Sequence, residues 1–237
     1  MNLQGEDFIE FAGIKITDNK LARIGWLLPT LTVLFSMSIH VISGHNRAIP
    51  FFISESDYPG LERWFFTIGF LSTGILQMFF AYRMWYSMRG NGRRKMMHLA
   101  LGCGIFTGAN LVVMSFANMY DYLSIHILTA SNVFNFGMLW ALFAHLSFPE
   151  ANSSGRKVRI WGIAIAFVSF TIMSQSIVKA VKDLDKYGLT GDTIFTLNSI
   201  QDAVNVAAFA EYGLFLGLIL ALYSFEFDFN DKLKKSE

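Results

Sequence analysis

Long apolar stretches separated by short polar connections dominate the chain, and six of them are long enough to cross hydrocarbon. They run over about residues 24–42, 64–85, 97–116, 123–148, 160–178 and 200–225. About 20 helical residues at 1.5 Å each cover the roughly 30 Å of a bilayer core. The pattern therefore predicts an all-α polytopic membrane protein, a bundle of six transmembrane helices forming a single domain over residues 1–237. Gly104 and Gly108 stand four apart in the third stretch, a spacing that lets a neighbouring helix approach closely. Trp26, Trp64, Trp85, Tyr86, Tyr120, Tyr122 and Trp161 fall near span ends, as interfacial anchors do, whereas Trp140 lies deeper and is expected between helices.

Composition agrees with the pattern. Hydrophobic residues make up 53% of the 237 positions and charged ones only 16%, well below the ~25% charge of soluble domains. With mean hydropathy at +0.41, polar cover is too thin for a water-soluble fold.

An even number of spans puts both termini on one side. Lys15, Lys20, Arg23, Arg89, Arg93, Arg94, Lys95, Arg156, Lys157, Arg159, Lys232, Lys234 and Lys235 all fall on the side of the termini. By the positive-inside rule that side is cytoplasmic, giving an N-in, C-in topology. The opposite loops carry Arg47 and Arg63, then no Lys or Arg, then Lys179, Lys182 and Lys186 among Asp183, Asp185 and Asp192. The first 20 residues lack the layout of a cleaved signal peptide. Asn152-Ser153-Ser154 has a glycosylation spacing in a loop expected to be cytoplasmic, where it would never meet the machinery. A lone Cys103 excludes an intrachain disulfide or a thiolate metal cluster and reads as core packing. No nucleic-acid-binding scaffold is present.

Candidate chemistry is sought where polar side chains enter the membrane, because an ionisable group there faces a partner or a wet cavity. His40, Gln77, Asn110, Asp121, His126, Asn132, Asn135, His145, Gln175, Gln201, Asp202, Asn205 and Glu211 qualify. Asp202 and Asn205 are three apart on one helical face. Asp121, His126 and Asp202 all approach the outer side, so they are expected to converge on an outward-facing vestibule. A carboxylate beside an imidazole sets its tautomer and supports proton transfer or metal ligation. An interhelical network and binding of a lipid headgroup or an ion are the alternatives. Glu211 lies midway along the sixth span and needs donors, a cation or water; a helix-locking hydrogen bond and a transport or lipid role both fit. Glu226 and Asp228 are expected to be exposed where that helix emerges. No hydrolase or compact metal-binding motif appears and no cofactor is implied, although ligands from separate helices leave a metal open. The first outward loop, about 43–63, mixes aromatic, aliphatic and charged residues; it can fold over the mouth of the bundle or lie at the interface.

Pro50, Ile53 and Ser54 in PFFISESDYPG, Asp121 and His126 in YDYLSIH, and Glu211-Tyr212 followed by an aromatic-rich run to Glu226-Phe227 carry a resemblance. Over about residues 20–230 the chain resembles the DNA-damage-regulated autophagy modulator (DRAM) family, which includes relatives similar to GPI-anchor lipid-remodelling factors. Glu55, Ser56 and Asp57 stand where the family commonly has an Asp-Thr-Gly-like continuation. The resemblance implies a six-span fold and a link to lipid handling, with family settings in autophagy and lysosomes, the secretory pathway or the plasma membrane. The leading expectation is a lipid-associated regulatory membrane protein whose partners are membrane lipids and a membrane or cytoplasmic protein. An ion or small-solute channel or transporter and a lipid-remodelling enzyme are the alternatives.

Overall fold

The computed structural model describes residues 8–11, 14–88, 93–148, 151–186 and 193–234. Arg89, Asp192 and Lys235, among the charges used to orient the chain, lie outside the described residues. Strands β1 (Phe8–Phe11) and β2 (Ile14–Thr17) pair antiparallel, Phe8 with Thr17 and Phe11 with Ile14. This hairpin was not expected from the sequence. FIEF and IKIT are rich in the aromatic and β-branched residues that suit strands.

Six long apolar helices follow: α1 (Asp18–Ile42), α2 (Leu61–Met88), α3 (Arg94–Phe116), α4 (Leu123–Ser147), α5 (Ser153–Lys186) and, after the short α6 (Thr193–Ser199), α7 (Gln201–Tyr223). A last helix, α8 (Phe225–Lys234), continues α7 past a turn at Ser224. The six-span bundle read from the sequence is present, with most helices running a few residues past the expected bounds and two differences of note. At 34 residues α5 is about 50 Å long, so it outruns the bilayer and takes up residues expected in the fifth loop. The sixth span stops at Tyr223, and residues beyond it belong to α8.

Helices α1 to α4 pack in chain order, while α5 and α7 form a close pair that meets the rest along the thinner seams α1/α7 and α4/α5. Glycines make the close contacts. A Cβ added to Gly108 would lie 2.5 Å from the Gly74 carbonyl, and one added to Gly217 would lie 2.5 Å from that of Gly162. Backbone therefore meets backbone at α2/α3 and α5/α7, the packing that small residues allow inside a membrane. Gly104, the partner of Gly108 in the sequence pattern, abuts Ala81 and Trp140.

On the side of the termini the interior is tightly filled. Phe80, Met84, Met97, Trp140, Phe225 and Phe229 form the centre of its cluster. Buried acids there are each met by an arginine, Arg83 and Arg159 from inside the bundle and Arg23 from its surface. Arg83 grips Asp18 at 2.8 Å, with Ser87 bonded to the same carboxylate. Glu226 accepts from Trp26 Nε1 at 2.8 Å and Arg23 Nε at 3.1 Å. Arg159, fully buried, pairs with Asp228, donates to Ser224 Oγ at 2.8 Å and stacks 3.9 Å above the Phe225 ring. Glu226 and Asp228 are thus buried, contrary to the exposure expected of them. The turn at Ser224 folds α8 against α1 and α5, where Arg23 and Arg159 wait on matching faces.

Candidate functional site: a loop plugged into the outer mouth

The connection between α1 and α2 enters the bundle. Its short 3₁₀ turn, Ile53–Ser56, packs against α1, α2 and α7, and Ile53, Glu55, Ser56 and Asp57 are all buried. A buried loop must find partners for its backbone, and α7 and Tyr120 supply several of them. The Ser56 hydroxyl donates to the Ile53 carbonyl at 2.6 Å and lies 3.1 Å from Ser36 Oγ of α1. The Tyr212 hydroxyl donates to the Phe51 carbonyl, Gln201 Nε2 to the Pro50 carbonyl at 3.4 Å, and the Tyr120 hydroxyl to the Glu55 carbonyl at 2.9 Å. Glu55 in turn accepts from the Phe52 amide at 2.8 Å and is ion-paired with Arg47 at 2.6 Å. Burial pushes the Tyr120 hydroxyl well above its ordinary value, so it stays a proton donor to the loop.

The deepest of these contacts is Glu211. It stands ten residues into α7, about 15 Å along the helix and near mid-membrane. Its Oε2 accepts from the Ile53 amide at 2.6 Å, a charge-assisted bond when the carboxylate is ionised. The first-loop residues that carry the family resemblance therefore meet the membrane glutamate that carries it on α7. Two cavities reach the same place. One, of about 120 Å³, lies inside the bundle beneath the loop; the other, of about 300 Å³, lies between α4, α5 and α6. Ser54, His126, Ala130, Phe134 and Glu211 line both. Two residues that line the larger cavity, Ile127 of α4 and Val178 of α5, are also 55% and 51% exposed on the bundle's surface.

His126 donates Nδ1–H to the Ala117 carbonyl at 2.7 Å, in the tautomer that this acceptor requires. That leaves Nε2 as an acceptor with no hydrogen-bond partner among the described residues. The convergence expected of Asp121, His126 and Asp202 is not what the structure has. Among the described residues, no hydrogen bond or ion pair joins the three. Asp121 is exposed on the rim, held by Asn118 at 2.9 Å and 3.9 Å from Arg63. Asp202 is exposed in the first turn of α7, where helix-end amides favour a carboxylate. Asn205 accepts from Gln201 at 2.7 Å. The polar centre is accordingly deeper than a vestibule and built from Ser54, His126 and Glu211.

Several participants had no place in the expected site. Glu55 and Tyr212 were noticed only as residues near the motif, while Tyr120 was expected at the interface rather than under the loop. On the rim, Asp57 is buried with Arg63 Nε 3.5 Å away. Burial outweighs that guanidinium and pushes the Asp57 carboxyl up to about 7. Nearby, Glu62 Oε1 contacts His45 Nδ1 at 2.6 Å and His40 Nδ1 at 3.3 Å. Only His40 of these three was a candidate, because His45 and Glu62 lie in what reads as a loop and are brought to it by the turn after α1.

Neither a curated protein nor a solved structure matches the chain. A family model does: that described as the Frag1/DRAM/Sfk1/Cwh43P N-terminal domain matches residues 20–232. With six membrane-spanning helices and a family match over almost its whole length, the chain belongs to the Frag1/DRAM family of multi-pass membrane proteins.

Proposed function

We propose that this protein is a lipid-associated regulatory membrane protein that takes a lipid sideways through the α4/α5 seam. The observation that carries the reading is the larger cavity, lined both by the surface-exposed Ile127 and Val178 and by Ser54, His126 and Glu211. Its volume of about 300 Å³ is at the lower end of small-molecule sites, which are mostly apolar with a few convergent polar groups. Apolar walls suit an acyl chain. The His126 Nε2 acceptor and the Ser54 hydroxyl suit a hydroxyl or amide near the headgroup. Because Ser54 and Ile53 belong to the loop, occupancy acts directly on the loop's position, which is how binding becomes a signal.

A solute channel is less well supported, since a conducting path needs a continuous polar route. Below the cavities Trp140, Phe80 and Phe225 close the interior. Lipid remodelling is the second reading, favoured by a hydroxyl, an imidazole and a carboxylate lining one cavity. Photo-crosslinking with a diazirine-bearing phospholipid, mapped by peptide mass spectrometry, tests the route. Labels concentrated on α4 and α5 around Ile127 and Val178 are expected; labels spread evenly over all six helices would contradict it. Release of fatty acid by wild type but not by Ser54→Ala would favour the second reading.

A further inference from the structure

The turn that ends α1 is built to bring two histidines together. Ser43 donates its amide to the Ile39 carbonyl, Gly44 to Val41 at 3.0 Å, and His45 to His40 at 3.1 Å. Gly44 has φ 71°, the left-handed conformation that glycine adopts without strain. This is the helix-ending motif in which the residue after the glycine lies over the third-last helical residue. In most proteins that pair is a hydrophobic contact. Here it is His40 and His45, their ring centroids 6.3 Å apart, with the Tyr58 ring packed against both.

The third member arrives from the other end of the loop. Glu62 lies in the first turn of α2 and is fully buried, as is His40, whereas the His45 side chain is 35% exposed. The carboxylate folds back over Gly60, where an added Cβ would lie 2.5 Å from Oε2. One carboxylate oxygen faces both imidazoles, while Oε2 is buried with no hydrogen-bond partner among the described residues. Leaving such an oxygen unsatisfied is expensive, and hydrogen bonding within the trio does not remedy it. One ligand atom from each of His40, His45 and Glu62 lies within 4.8 Å of the others. Around zinc, with bonds of about 2.0–2.1 Å in a tetrahedron, such atoms sit roughly 3.3 Å apart, a contraction that side-chain adjustment supplies.

We propose that His40, His45 and Glu62 form a binding site for a divalent transition-metal ion of the zinc class. Two imidazole nitrogens and one carboxylate oxygen form a ligand set that zinc takes with its fourth position open. The exposed edge of His45 gives the ion a way in and leaves room for water as the fourth ligand. Bound there, the ion ties the end of α1 to the start of α2 and closes the loop whose middle plugs the mouth. It acts as a staple on the loop, independent of whether a lipid occupies the cavity.

Zinc content of the full-length protein in detergent tests this. The protein is stripped with a chelator, resupplied with Zn²⁺, desalted and measured by elemental mass spectrometry, with thermal melting followed in parallel. Wild type is expected to retain one zinc per chain and to melt higher with Zn²⁺ than without. His45→Ala and Glu62→Gln are expected to fall at least tenfold in zinc content and to lose the melting response. His45→Cys, which keeps a ligand, should retain the metal and add a sulfur-to-metal charge-transfer band with Co²⁺. Wild type holding no more zinc than Glu62→Gln, or both variants holding as much as wild type, would overturn the site. Should the variants not fold, the Co²⁺ spectrum of wild type decides. An intense visible band of a four- or five-coordinate ion supports the site, and the weak spectrum of the hydrated ion overturns it.

Discussion

The two ends of the bundle solve the same problem in different ways. Both bury ionisable side chains in a membrane protein, where an unpartnered charge is costly. On the terminus side each acid meets an arginine: Asp18 with Arg83, Glu226 with Arg23, and Asp228 with Arg159, around a tightly filled aromatic core. At the other end Glu55 and Asp57 also face arginines, Arg47 and Arg63, but the deepest acid, Glu211, is held instead by the Ile53 amide of an inserted loop, and two cavities lie beneath that loop. Matched pairs fix one arrangement. Uncommitted polar atoms facing a cavity leave capacity for a ligand. The first end is expected to carry stability, and the second the binding proposed above.

The largest effect that would sharpen this contrast is at Arg159. Arg159→Met takes the cation away from buried Asp228, which keeps the Asn152 amide at 2.9 Å, and is expected to cost about 3–5 kcal/mol, whereas pairing it with Asp228→Leu should recover much of the loss. Melting in detergent measures both, and lipid retained by the surviving fold should not change. If Arg159→Met left stability intact but altered the lipid, the division between the ends would fail.

Next is the pH response of the rim. The Asp57 carboxyl, ordinarily at 3.8, is raised to about 7 when folded. The folded state therefore holds its proton more tightly than the unfolded state, so this group's contribution falls as pH rises from about 4 to 7 and then levels off. The expected loss is on the order of a few kcal/mol. Asp57→Asn should flatten the melting temperature across that window. An unchanged slope would mean that Arg63 holds the group ionised throughout.

The smallest of the three compares seams. Gly217→Ala puts a methyl against the Gly162 carbonyl and is expected to destabilise by about 1–3 kcal/mol. Equal tolerance at Gly217 and at Ala130, on the α4 side of the larger cavity, would show that α5/α7 is no tighter than α4/α5.

Much of this architecture is legible in the sequence, because spans reveal themselves by length and apolarity. Close glycine contacts are partly legible too, as Gly108 shows. Helix rotation is not: each residue turns a helix by about 100°, and a bundle surrounded by lipid lacks the polar face that marks the outside of a soluble helix. Asp202 could therefore be placed at the correct end and still be exposed, while Asp121 lies in the turn before α4, where helical periodicity says nothing. Glu226 and Asp228 were misjudged for another reason. Nothing local signals that the chain turns at Ser224 and carries them back to Arg23 and Arg159. The loop contacts depend on chain reversal as well, and only the Glu211 and Ile53–Ser54 motifs hinted at both halves of one site.

The most direct test of lipid binding at the plugged end is quantitative mass spectrometry of lipids retained after gentle extraction, comparing wild type with Ala130→Trp. Ala130 lines both cavities, and an indole there fills the space without touching the terminus-side ion pairs. One lipid class enriched in wild type over the bulk membrane, and lost from a folded Ala130→Trp variant, is the predicted result. Retained lipid that matches the bulk membrane in both proteins would contradict the account.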